Sequence, residues 1–183
     1  FRTQLATEIQ NDPQFGANGF ASTCPLISVQ AQVTHEASKR VASSIKVYGV
    51  DDRFWKFNGR DRTGPQNRDA FISQTLANEL GAKASDSLLL RIEKPSDIPL
   101  ESLHSKKDDL GKPLRLNITE ILDSAALGEF SIQPQQSGVR ALFVPLKLLQ
   151  TELEQPEKVN VILVSEAQTS RPDAATLNNV VRA

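Results

Sequence analysis

Residues 26–34 alternate between apolar and polar, with Ile27, Val29, Ala31 and Val33 on one side and Ser28, Gln30 and Gln32 on the other. A period of two belongs to an extended strand covered on one face, and no helix satisfies it. The pattern resumes over 43–50 through Ile45, Val47 and Gly49, after a polar stretch from His35 to Arg40, so the pair predicts a β-hairpin. Asp51 and Asp52 then cap a short helical turn that carries Phe54, Trp55 and Phe57. Gly59 to Asn67 has the composition of a loop, and a lobe boundary is placed there.

Further along, 69–72 reads as a strand, and Ser73 caps a helix over 74–80 with Gly81 in the C-terminal cap position. Strands are expected over 87–93, 114–122 and 128–133, with loops at 95–109 and 134–138. Ala141 to Val144 is a strand, Pro145 takes the first helical position, and Leu146, Leu149 and Leu153 form an apolar stripe that Pro156 ends. Val159 to Val164 is a continuous apolar run suited to a buried strand. These three pieces predict a β-α-β unit with parallel strands and a right-handed crossover. Helical patterns open and close the chain, over 1–12 through Phe1, Leu5 and Ile9, and over 173–183 through Ala174, Leu177, Val180 and Val181. Residues 14–24 read as loop.

Composition excludes more than it selects. The 183 residues suit one domain or two small lobes. A formal net charge of -1 offers no electrostatic footprint for nucleic acid. No apolar run approaches the roughly 20 residues that cross a bilayer. Methionine is absent and the chain opens Phe1-Arg2-Thr3, so it is expected to be an ectodomain cut from a larger membrane protein.

Chemistry has few candidates. Cys24 is the single cysteine, and His35 and His104 are the two histidines. A nucleophile needs a base and an orienting acid, and Cys24 with His35 and Glu36 is a weak version of that set. The default is a solvated histidine and a small residue at a strand entry. No metal-ligand spacing is present, and Asp108-Asp109 beside Lys106-Lys107 neutralise one another. No phosphate loop occurs, and the glycines at 59 and 64 lack the lysine that would follow. No catalytic residue, cofactor or metal is expected. Three aromatics at 54, 55 and 57 cannot all face one core. They either pack between lobes or expose part of the cluster, Phe54, Trp55 and Phe57, as a partner surface.

Three segments in order resemble a known family. VYGVDDRFWKF at 47–57, AFISQTLANELGAKASDSLLLRI at 70–92 and ALFVPLKLLQTEL at 141–153 are similar to motifs in the extracytoplasmic domains of FtsX-like ABC transporter permeases, the group with a MacB-like periplasmic core domain. The resemblance spans about residues 41–166. One departure is Ser85, where the family has glycine before the aspartate at 86.

The resemblance implies an α+β fold of two lobes. A βαβ-containing porter-like lobe, 13–66 and 139–166, would receive an inserted, mainly-β sabre-like lobe, 67–138. Helices 1–12 and 173–183, the latter within a stalk segment 167–183, would be N- and C-terminal stalks running into membrane spans. It further implies an extracytoplasmic, non-enzymatic domain of a cell-membrane permease. Its partners would be a cytoplasmic ABC ATPase, a second permease copy or paralogue, and an exported substrate or envelope protein. The alternative roles are control of a cell-wall hydrolase by recruitment and, from the residues alone, a stand-alone hydrolase using Cys24 or a serine.

Overall fold

A computed structural model describes residues 1–92, 113–133, 138–167 and 177. Its elements run α1 (Thr3–Asn11), α2 (Pro13–Ala17), β1 (Phe20–His35), β2 (Val41–Val50), α3 (Asp52–Phe57), β3 (Asp69–Ser73), α4 (Gln74–Leu80), β4 (Ser87–Ile92), β5 (Leu114–Leu122), β6 (Ala141–Pro145), α5 (Leu146–Glu152) and β7 (Val161–Glu166). The mixture is α+β, as expected. The chain forms two compact units: Phe1–Ile27 with Gly49–Gly64 and Leu146–Ala183, and Ser28–Tyr48 with Pro65–Pro145.

In the second unit the strand order is β2-β6-β3-β5-β4-β1, and β1 also pairs with β2. These six strands therefore close on themselves, and closure leaves no free edge. Neighbours are antiparallel in β1–β4, β4–β5 and β3–β6, while β3 and β5 run parallel with Ile72 opposite Ile121. Alternation decides which side chains go inward: Leu88, Leu90 and Ile92 on β4 and Leu114, Leu116 and Ile118 on β5 are all buried. In β2 two successive serines, Ser43 and Ser44, are exposed, and Ser44 has φ 55°, the signature of a bulge that resets the alternation. Tyr48 packs edge-on against Phe130 at 5.1 Å and beside Phe143 at 5.4 Å.

The α4 cap forms as its sequence dictates. The Ser73 hydroxyl accepts from Leu76 N, and Gly81 adopts φ 66°, a left-handed position natural to glycine. The Arg115 guanidinium forks the Glu36 carboxylate at 2.6 and 2.9 Å, which holds Glu36 below the ordinary carboxylate range.

In the first unit, β1 over Phe20–Leu26 pairs antiparallel with β7, Cys24 opposite Leu163 and Leu26 opposite Val161. Leu149 of α5 is fully buried, and a Cβ on Gly49 would lie 2.9 Å from its Cδ2 and 3.4 Å from Ile27 Cβ. Only glycine lets α5 approach the backbone there.

Four sequence expectations need correction. Residues 14–24 are not all loop: Pro13–Ala17 is a helical turn and β1 begins at Phe20, because β7 extends the ladder backwards. Residues 128–133 form no strand. Asp123 accepts from Ala126 N, Leu127 turns left-handed at φ 70°, and Gly128 N returns to the Asp123 carbonyl, which folds the chain back. β6 and β7 are not neighbours, since β6 pairs with β3 and β7 with β1, so the parallel crossover pair expected around α5 is absent. Pro145 ends β6 rather than opening α5. The helix expected over 173–183 and the loops at 95–109 and 134–138 fall mainly outside the described residues.

Candidate functional site around the first helix and Leu177

α1 is short, and a helix of this length is marginal in water without tertiary support. Its Ala6 and Ile9 are buried and Leu5 is half-buried, the i, i+4 spacing of one apolar face. Asp12 stops α1 in extended backbone and caps α2, accepting from Gln14 N at 2.7 Å, with Pro13 in the first turn. The turn delivers Phe15 onto Phe20, ring centroids 5.3 Å apart and stacked. Ile9, Phe15 and Phe20 form a buried cluster, and Leu5, Val164 and Leu177 pack against it. Leu177 is helical. The first helix and the helical position at Leu177 thus share one apolar seat, roofing the β1–β7 pair.

Hydrogen bonds fix α1 in that seat. The buried Thr23 hydroxyl donates to the Ala6 carbonyl at 2.7 Å, and Thr23 N donates to Gln10 Oε1 at 2.9 Å. Ahead of α1, Val159 N donates to the Phe1 carbonyl and Thr3 N to the Glu157 carbonyl, 2.8 and 2.7 Å. Gln150 on α5 joins the two stretches, its amide donating to Thr3 Oγ1 at 3.0 Å and to the Lys158 carbonyl at 2.9 Å. Polar groups on both sides of the seat are therefore paired, as burial requires.

Of Phe54, Trp55 and Phe57, expected either to pack between lobes or to form part of a partner surface, the first two point inward. Phe54 and Trp55 are fully buried and meet edge-to-face at 5.1 Å, while Phe57 is half-buried. The reason lies in the loop that follows. Gly64 packs on the indole so closely that a Cβ would come within 2.6 Å of Nε1, and Arg62 stacks its guanidinium 4.9 Å from the ring centroid. Gly64 N donates to Asp52 Oδ1, which ties the loop over α3. Asp51 caps α3 and takes Arg53 in a bidentate pair, closest at 2.6 Å.

Cys24 and His35 lie on the same strand but have separate surroundings. Cys24 is fully buried and its Sγ meets the Pro25 carbonyl at 3.8 Å. Burial pushes its thiol up to about 12, helped by the nearby Asp51 charge and opposed by Arg53. A thiol so raised is not a nucleophile at neutral pH. His35 is buried, with Nε2 3.1 Å from Asp86 Oδ2 and Nδ1 2.8 Å from Ser38 Oγ. In outline this is a Ser-His-Asp set, but the Ser38 hydroxyl donates to the Leu80 carbonyl at 2.8 Å. The serine proton is thus directed at Leu80 and not at the imidazole. The set holds the 35–40 turn to the end of α4. His104 lies outside the described residues. Among the described residues no three His, Cys, Asp or Glu side chains gather as metal ligands, and no helix is long and apolar enough to cross a membrane.

Sequence reasoning found Leu5, Ile9 and Leu177 by their spacing but missed Phe15 and Phe20. The Asp12-Pro13 start signal could have located α2.

The fold is found in solved structures of transporter domains. The periplasmic region of MacB from Actinobacillus actinomycetemcomitans superposes with a TM-score of 0.57 at 8% identity, over 99% of this chain and 71% of its own. The extracellular domain of the noncanonic ABC-type transporter YknZ from Gram-positive bacteria gives a TM-score of 0.58 at 9% identity, over 98% and 78%. No family model matches the sequence. No curated protein matches it either.

Proposed function

We propose that this chain is the extracytoplasmic domain of an ABC transporter permease, coupling ATP hydrolysis on the cytoplasmic side to export or mechanotransmission in the cell envelope. One observation carries the reading: α1 and Leu177 pack into the same cluster around Ile9, Phe15 and Phe20. A domain driven through two helical stalks needs them seated together on one rigid body, so that a displacement of the pair moves the body as a whole. The near-complete overlap with the MacB and YknZ domains supports the same reading. In it, the first unit takes the porter-like role and the second the sabre-like role. The ATPase is a separate subunit or domain, and a second permease copy or paralogue completes the machine.

Recruitment of a cell-wall hydrolase, the alternative role, has no docking surface in Phe54 and Trp55, since both are buried, and Trp55→Ala is expected to loosen the fold rather than a docking contact.

The test reconstitutes the full-length protein with its ATPase in proteoliposomes and compares the parent with Leu177→Ala and Ile9→Ala. Loosening the seat is expected to leave basal ATP hydrolysis in place and to lower the transport or conformational response per ATP severalfold. Melting of the isolated domain shows that each variant still folds. Full coupling in both variants would sink the reading.

A further inference from the structure

The chain holds two Asn-Gly pairs, Asn18-Gly19 and Asn58-Gly59, and both end a helix in the same way. Asn18 is the C-cap of α2 at φ -89° and ψ 11°, and Asn58 that of α3 at φ -91° and ψ 19°. Each side-chain amide donates to the carbonyl four residues back, that of Gln14 or Phe54, at 2.8 Å. Each glycine is left-handed, at φ 86° and 71°. Its N–H returns to the helix, to the Gly16 or Lys56 carbonyl at 3.0 Å.

Asn-Gly is the dipeptide most open to deamidation, because glycine has no side chain to shield its nitrogen. That nitrogen attacks the asparagine Cγ, the bond from Cγ to the side-chain nitrogen breaks, and ammonia leaves behind a five-membered succinimide. Water then opens the ring at either carbonyl, giving aspartate or isoaspartate. In both caps the near-helical ψ turns the glycine nitrogen away from Cγ, and its N–H is bonded. The reaction must therefore wait for the cap to open.

The two caps differ in what holds them shut. α2 is a turn of five residues with Gly16 inside it, and Phe15 is its one buried residue. Asn18 is exposed. α3 contains no glycine, and its Phe54 and Trp55 are both fully buried. The loop after α3 wraps its end, with Arg60 N donating to the Trp55 carbonyl and Gly64 N to Asp52 Oδ1. Asn58 is half-buried there.

We propose that Asn18 is a deamidation site, opened by fraying of α2, and that Asn58 is shielded by α3 and its loop. The product disarms the cap. A carboxylate in place of the amide sets an acceptor against the Gln14 carbonyl and a negative charge on the C-terminal end of the helix. Isoaspartate also lengthens the main chain by one carbon between Phe15 and Phe20, whose rings the turn must bring together. The site lies beside the seat of α1 and Leu177 but rests on the cap alone, so it and the transporter reading can fail separately.

Peptide mapping by mass spectrometry, on the chain held at mildly alkaline pH and body temperature, reads both sites at once. Each site is normalised to its own rate in the urea-denatured chain, where no cap exists. In the folded chain Asn18 is expected to react at least about fivefold faster than Asn58. Gly16→Ala has open space for its methyl group and strengthens α2, so it should slow Asn18 severalfold and leave Asn58 unchanged. Asn18→Asp reproduces the aspartate product and should lower the urea midpoint. Equal rates at the two sites, an Asn18 rate indifferent to Gly16→Ala, or an Asn18→Asp chain as stable as the parent would each overturn the proposal.

Discussion

Ser85 carries a left-handed backbone, φ 76°, at the position where the resembled family has glycine. An L-residue there costs roughly 1–2 kcal/mol, and glycine gives back roughly 0.5–1 kcal/mol in unfolded-chain entropy. Ser85→Gly is therefore expected to stabilise the chain by about 0.5–1 kcal/mol, read as a higher urea midpoint at unchanged slope. Cys24 carries a second residue-scale prediction. Its folded-state value lies at about 12 against 9.0 for a free thiol, so the fold favours the protonated form. That contribution is whole below pH 9 and is lost as pH rises through 12. The stability advantage of the parent over Cys24→Ala should shrink by about 2 kcal/mol between neutrality and pH 10.5, measured by urea denaturation at each pH. The sequence marks Ser85 as a missing glycine but not its left-handed φ, and Cys24 owes its value to neighbours distant in the chain.

At the element scale, Ser73 serves two structures with one oxygen. It caps α4 through Leu76 N and accepts from Ala141 N at 3.1 Å, joining β6 to the α4 start. The cap was legible from local sequence and the β6 contact was not, because it spans most of the second unit. Ser73→Ala should cost about 2–3 kcal/mol, more than the usual ~1 kcal/mol of a lost cap, because two buried N–H groups lose their acceptor. A loss of 1 kcal/mol or less in chemical denaturation would reduce Ser73 to an ordinary cap. α5 was legible from its leucine stripe, and Leu149 is fully buried as that stripe requires. Leu149→Asp should bury an unpaired charge and unfold the first unit, at about 4 kcal/mol or more. An unchanged thermal transition would contradict the packing of α5 on Gly49.

At the scale of the molecule, neither unit is one continuous stretch of chain. The second unit draws β1 and β2 from the hairpin and the remaining strands from beyond residue 65. A fragment of residues 28–145 keeps every strand of the closed ring, whereas 65–145 lacks two of them and exposes the edges of β4 and β6. The longer fragment should show a cooperative unfolding transition by circular dichroism, and the shorter one should show none. Cooperative folding of 65–145 would mean that the hairpin is not part of that core.

What the sequence by itself determined is local: the period of two over 26–34 and 43–50, the caps at Asp51 and Ser73, the turn at Gly81 and the apolar faces of α1 and α5. Each depends on residues within a turn or two of one another, so each is written in spacing. The three ordered motifs added the fold class. Tertiary structure alone decided which strands pair, that β6 and β7 part company, that Phe54 and Trp55 go inward beneath Gly64, and that Leu5 and Leu177 share a seat. Those outcomes are set by burial among residues far apart in the chain. Period and propensity are blind to that competition, because an apolar face states that it must be covered without stating by what.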